Sequence, residues 1–514
     1  MLSVRSALML DRKRMNMRLL NAPAVKLMLV GVSRDCFPVE LARTRSGSLA
    51  KACKERGLKI ATCKTIIENE ADAVAALAEL EAGGCNAAVI YLGNFGPEGP
   101  LSILAQHFGG PMMICAAAEE SGNNLIKGRG DAFCGMLNAS INLGLRGVPV
   151  HIPQMPVGLP DELVSKIAHF QALARILLGI RGLKIFSFGP RPQDFYACNA
   201  PIGPLYDLGV EVMENSELDM LQAFEAVGKQ DRAISRKVRE MTAELGEGNA
   251  YPELLPQLAR FETALERFAH ANLGSRQYGI FANKCWPAFE KAFGFVPCYV
   301  NSRLATRGVP VACEVDIYGA LSEYMCYLAS QTPVTLLDVN NTVPADMIDK
   351  KADLKGAIAA DLFMGFHCGN TPSCCMKNHS MKFQLIMNRL MEDHAKPPDI
   401  TRGTLEGQLR PGPATLFRVQ GRTDGSLVSY VAEGNILDID PRSFGVIGVF
   451  AIPNFARFYR HVLIGKGFPH HGAVAFKQVG KVLFDAARML GIQDVSVPLP
   501  PTMIYDGENP FELV

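Results

Sequence analysis

The sequence predicts a three-domain α/β chain: two Rossmann-like parallel-sheet α/β domains, then a C-terminal domain with an antiparallel sheet or small barrel. Three observations carry this. At 514 residues the chain is too long for one core. Its first part alternates short β-branched apolar runs with stretches of helical periodicity, the pattern of parallel strands joined by helices. Between residues 404 and 450 the pattern changes to β-like pieces separated by Gly and Asp turns, which suits antiparallel pairing.

Residues 1–24 mix Arg5, Arg12, Lys13, Arg14 and Arg18 with short apolar pieces and read as a flexible leader, lacking the apolar core of a signal peptide. The N-terminal domain, 25–179, takes strands at 25–32, 57–61, 87–91 and 111–115, with helices over 70–81 and 160–178. No GxGxxG follows its first strand, which disfavours a dinucleotide. The second domain, 180–345, opens on a strand at 182–189. Helical stretches follow over 216–246 and 252–272, then strands at 279–282 and 333–337. The C-terminal domain, 346–514, has β-like pieces at 414–420, 426–432 and 445–451, and a helix from Ala473 to Leu490.

A formal charge of +1 offers no basic field to a nucleic acid. Fourteen cysteines are scattered without a CxxC pair, so they read as reduced thiols of a cytoplasmic protein. No run reaches ~18 uninterrupted apolar residues, so no membrane partner is expected.

Chemistry concentrates in residues 311–341. Glu314 ends one short apolar run and Asp338 the run 333–337, the strand-end position where open α/β sheets place site residues. Two acids in one cleft repel and lose hydration, and a divalent cation relieves both problems. Ordinary surface or N-cap roles explain the same residues equally well. Histidines stand in two Gly-containing loops, His367 in 366–370 with Asn370 beside it, and the pair His470-His471 in 466–472. Two carboxylates with an imidazole suit Mn²⁺, Mg²⁺, Fe²⁺ or Co²⁺ better than a closed structural zinc. Trp286 is the single tryptophan, a core residue or a stacking surface.

The segment Glu314-Val-Asp-Ile-Tyr-Gly-Ala320, the later Thr335-Leu-Leu-Asp-Val-Asn-Asn341 and the late His-His-Gly resemble the L-fucose isomerase and L-arabinose isomerase superfamily. Gly189-Pro-Arg-Pro192, Lys284-Cys-Trp-Pro287 and Asp131-Ala-Phe-Cys-Gly135 agree in order with that likeness. The resemblance implies a three-domain, Mn²⁺-dependent aldose–ketose isomerase working through a cis-enediol. It also implies a homo-oligomer, typically a hexamer, with sites between subunits. Carried over, the metal ligands are Glu314, Asp338 and His471, with Glu314 and Asp338 as the proton-carrying pair. His367 is similar to an extra active-site histidine of the family. Asn370, His470 and Trp286 are expected on the sugar. The favoured substrate is L-fucose- or D-arabinose-like. The alternative is an anionic sugar such as sulfoquinovose, met by Arg34, Arg191 or Lys377. A non-catalytic sugar-binding protein is the reading from a different class.

Overall fold

The computed structural model describes residues 21–349, 353–390 and 399–512. They fall into two compact units. One comprises Pro23–Gly179 with Asp485–Gly491, and the other Ile180–Phe484 with the two ends of the chain. Of the expected leader, residues 1–20 lie outside the described residues. Asn21 is buried, its side-chain amide donating to the carbonyls of Gly279 at 2.6 Å and Gly308 at 3.0 Å.

The first unit is a five-stranded parallel sheet in the order β2-β1-β3-β4-β5. The strands are β1 (Leu27–Val32), β2 (Ile60–Thr62), β3 (Ala87–Leu92), β4 (Met112–Ala117) and β5 (Val157–Gly158). Strands β1, β3 and β4 are buried at every residue, which is why they read as continuous apolar runs rather than alternating ones. Helix Glu70–Ala82 starts on a capping box, the Asn69 side chain accepting from the Asp72 amide. Helix Pro160–Arg181 has the length and apolarity of a bilayer span, but 56% of that window is buried, as in the core helix of a globular unit.

The second unit holds two sheets. A four-stranded parallel sheet runs β7-β6-β8-β9, from β6 (Leu183–Phe188), β7 (Glu211–Asn215), β8 (Tyr278–Ala282) and β9 (Val311–Ala312). The other has nine strands. They are β10 (Val334–Thr342), β11 (Leu362–His367), β12 (Ser380–Phe383), β13 (Arg402–Gln408), β14 (Gly412–Gly421), β15 (Leu427–Leu437), β16 (Val446–Ala451), β17 (His471–Ala475) and β18 (Asp494–Ser496). Pairings β16-β11-β10-β17-β14-β15, with β15 also bonded to β16, close six of these strands into an antiparallel barrel. Closure removes the unpaired edges that an open sheet presents.

Two sequence expectations change here. Strand β10 starts where expected but runs on to Thr342, so Asp338 lies within it and not at its end, and it pairs antiparallel with β11 and β17 in the barrel instead of joining a parallel sheet. An apolar run of four to eight residues records burial on both faces and not the direction of its neighbours. Likewise Ala473 lies in β17, and the helix expected from it begins only at Gly480. Gly-Ala-Val-Ala fits a buried strand and a buried helix equally well.

Candidate metal centre

The barrel supplies two of the ligands by register alone. Asp338 on β10 lies opposite His471, the first residue of β17. Directly opposed residues of an antiparallel pair project from the same face. The β11 strand beside β10 ends on His367. Its Nδ1 accepts the Cys368 amide at 2.9 Å, leaving Nε2 to face the site, 3.9 Å from Glu314 Oε2.

Glu314 comes from the parallel sheet. It follows β9 in a single turn whose backbone is left-handed at both Glu314 (φ 53°) and Val315 (φ 55°). A β-branched residue there is a conformational outlier, and such strain persists only where the surroundings fix it. The Val315 amide donates to the Asn283 carbonyl at 3.0 Å and the Asp316 amide to Cys313 at 3.1 Å. Asp316 then caps helix Ile317–Ser330, its Oδ1 accepting the Gly319 amide at 2.8 Å. A Cβ on Gly319 would sit 2.6 Å from Asp316 Oδ2, so the residue must be glycine.

Three polar atoms meet at the centre. His471 Nε2 is 3.0 Å from Glu314 Oε2 and 3.4 Å from Asp338 Oδ1, yet all three atoms are buried without a hydrogen bond among the described residues. Three buried polar atoms this close to one another are the arrangement that ligands of one ion present. Ligand atoms of Asp338, His367 and His471 also lie within 4.8 Å of one another. Electrostatics agree. Burial opposes charge on Glu314, but the neighbouring His471, His367 and His470 outweigh it and hold its carboxyl below the usual value. Burial pushes the His471 imidazole down, and Asp316, Cys198 and Glu314 together push it well above its ordinary range. The pocket calls for positive charge.

Behind His471 stands a support that the sequence reading missed. Its Nδ1 donates to Asp316 Oδ2 at 2.8 Å, and Asp316 is gripped by Arg418 through Nη1–Oδ2 at 2.5 Å and Nη2–Oδ1 at 2.9 Å. Gln420 accepts from the same guanidinium at 2.7 Å. A carboxylate on the far nitrogen fixes the tautomer and turns Nε2 toward the metal. Asp316 lay within the Glu314 motif and offered a signal, two residues on in an acidic pair, whereas Arg418 offered none.

The other expected residues divide. His470 Nε2 is 3.8 Å from Asp338 Oδ1 at the more open side, and Phe195 stands edge-on to its ring at 5.4 Å. Asn370 is buried with its Oδ1 unpartnered, three residues beyond His367. Arg191 lies in the loop after β6, its guanidinium 5.2 Å over Tyr196 and its buried Nε without a partner. Trp286 packs on Cys285, Val296 and Cys298, a core contact. Lys377 is paired with Asp438. Arg34 belongs to the first unit, 4.9 Å over Phe95 and paired with Glu98 at 3.4 Å. Cys313 sits beside Glu314 and His367, within 4.8 Å. Its contact with Cys285 and its burial both push that thiol up.

Residues 28–181 match the fucose/sulfoquinovose isomerase N-terminal domain family, and residues 365–496 the L-fucose isomerase C-terminal domain family. A protein named sulfoquinovose isomerase from Alkalicoccus urumqiensis is 25% identical over 350 residues, 66% of this chain and 71% of its own length. One of the same name from Clostridium sp. (strain MSTE9) is 26% identical over 344 residues, 65% and 70% of the two chains. A third, from Priestia aryabhattai, is 23% identical over 341 residues, again 65% and 70%. Matches to both terminal domains in order, around a barrel whose register brings an acid and a histidine together beside a second acid, place this chain in the fucose isomerase-like superfamily of aldose–ketose isomerases.

Proposed function

We propose that the chain is a divalent-metal-dependent isomerase of an anionic sugar of the sulfoquinovose type. The observation that carries the metal is the convergence of Glu314 Oε2, Asp338 Oδ1 and His471 Nε2, three buried atoms without hydrogen bonds. Those residues would hold Mn²⁺, or Mg²⁺, Co²⁺ or Fe²⁺, with His367 close by. Their hard oxygen and imidazole donors fit such ions. Such an ion, when bound, would supply Lewis acidity toward the sugar oxygens.

The chain's own groups do the rest. Moving a proton between C1 and C2 needs a base beside the C–H bond and a group that returns the proton. Glu314 and Asp338 fill those roles in this reading. Asp316 and Arg418 keep His471 in one tautomer, with Nε2 turned toward the centre. His470 and Asn370 offer hydrogen bonds to sugar hydroxyls.

The names of the relatives move the substrate from the neutral L-fucose or D-arabinose expected from the motifs to a sulfonated sugar. Arg191 is the cation best suited to that anion, since its Nε is unpartnered and its loop also carries Phe195 against His470. A cytoplasmic homo-oligomer, a hexamer, and the three-domain division read from the sequence belong to the same proposal. The test is ketose formation with Mn²⁺ from a panel of sulfoquinovose, L-fucose and D-arabinose. The expected result is highest kcat/KM on the sulfonated sugar, with Arg191→Gln raising KM for that sugar alone. Turnover of neutral sugars only would overturn the substrate, and full activity after chelation would overturn the metal.

A further inference from the structure

Outside that centre, the first unit brings together a second set of metal-ligating side chains. His151, His169 and Asp485 each offer a ligand atom, and the three atoms lie within 4.8 Å of one another. All are held by regular structure. The His151 main chain is bonded to β4 on both sides, its amide to the Met112 carbonyl at 2.8 Å and its carbonyl to the Ile114 amide at 3.0 Å. Its ring stacks on Phe170 with centroids 6.1 Å apart and planes 7° apart. His169 comes from helix Pro160–Arg181, its ring 5.8 Å from that of His151. Asp485 comes from helix Gly480–Met489, in the stretch Asp485–Gly491 that returns to this unit from late in the sequence.

His169 Nε2 and Asp485 Oδ2 are 2.6 Å apart, and an ion pair explains those two residues by themselves. It does not explain a second imidazole, largely buried, converging on the same spot. Two nitrogens and one carboxylate oxygen form the donor set that takes Zn²⁺ or a similar first-row ion, with a fourth position for water.

We propose that His151, His169 and Asp485 form a second divalent-cation site, of the Zn²⁺ class, which pins the returning stretch Asp485–Gly491 to the sheet unit. The side chains of His169 and Asp485 are 16% and 27% exposed, which gives an ion a way in. Ligand atoms around a tetrahedral ion with ~2.0 Å bonds stand about 3.3 Å apart, so the His169–Asp485 pair opens by several tenths of an ångström on binding.

The test uses full-length, tag-free protein carrying Glu314→Gln and Asp338→Asn to silence the first centre. It is titrated with Zn²⁺ by calorimetry and with Co²⁺ by visible absorption. One equivalent of Zn²⁺ per chain and the intense bands of tetrahedral Co²⁺ are expected. His169→Gln or Asp485→Asn should weaken binding at least about tenfold. In the otherwise native enzyme either variant should leave isomerisation unchanged and remove a Zn²⁺-dependent rise in unfolding temperature. Asp485→Asn, at the more exposed position, carries the test should His169→Gln not fold. No Zn²⁺ uptake by the silenced protein, or uptake that neither variant alters, would overturn the proposal.

Discussion

Asp338 and His471 face one another across the β10–β17 ladder, with 3.4 Å between Oδ1 and Nε2. Strand pairing sets that distance, so chemistry at either position can be altered without moving its partner. Asp338→Asn keeps the shape and removes the charge. Its expected effect is a fall in kcat of about 10²–10⁴, the span covered by general acid–base groups, together with weaker Mn²⁺ binding. Steady-state kinetics and metal titration measure the two, and circular dichroism should show an unchanged fold.

The salt link of Arg418 with Asp316 is fully buried, and Asp316 orients His471. Asp316→Asn should lower metal affinity about 10–100-fold, the usual cost of losing an outer partner of a ligating histidine. Arg418→Met leaves the carboxylate buried and unpaired and should cost roughly 3–5 kcal/mol in urea unfolding. Combining both changes should recover part of that stability but none of the metal affinity. Equal losses in the single and double variants would show that the link has no such role.

Gly319 makes room for the capping carboxylate. A methyl group there meets Asp316 Oδ2 at 2.6 Å, between an oxygen already committed to Arg418 and the first turn of the helix. Gly319→Ala should therefore destabilise by about 1–3 kcal/mol, the range for overpacking, and lower metal affinity as well. Gly47, with open space around its Cβ position, provides the control substitution.

Acid sensitivity should arise at Glu262, which is not among the residues of the candidate metal centre. Glu262 is buried, which alone would raise its pKa, but Arg307, Arg303 and Lys237 outweigh burial and hold it at about 2. Its links are 2.7 Å to Arg303 Nε and 2.5 Å to Lys237 Nζ. A depressed carboxylate contributes stability that is complete above its unfolded pKa, about 4.3, and is lost as pH falls toward the folded value. Glu262→Gln should cost about 1.5–3 kcal/mol at pH 7, where it takes the shared carboxylate from buried Lys237 and Arg303 and half-buried Arg307 and leaves them Glu266, Glu244 and Glu240. The gap between variant and wild type should narrow between pH 4.3 and pH 2 in urea titrations. A gap independent of pH would contradict the charge argument.

The parts legible in the sequence were those that speak through residue type and spacing. Strands at 87–91 and 182–189 announced themselves as apolar runs and Glu314 and Asp338 as acids at the ends of such runs, whereas the choice of His471 came from the family resemblance. The direction of β10 was not legible, because a strand buried on both faces has the same composition in a parallel sheet and in a barrel. Arg418 was not legible either. It sits in β14 between Phe417 and Val419, where a lone arginine reads as the solvent face of a strand, and only the fold brings it to an acid 102 residues earlier. The thiols Cys285, Cys298 and Cys313 share no ligand spacing and gather only through packing, with Gln384 donating to the first two at 3.4 and 3.3 Å.

Closure of the barrel also has a kinetic side. β10 must find β17 across more than a hundred residues, and β11 must find β16 across a long intervening stretch, before the barrel closes. Contacts that distant in sequence form slowly and late. An ion gripped by both residues thus acts on the finished fold and not on the transition state leading to it, so saturation with metal should lengthen the lifetime of the native chain while leaving its refolding speed unaltered.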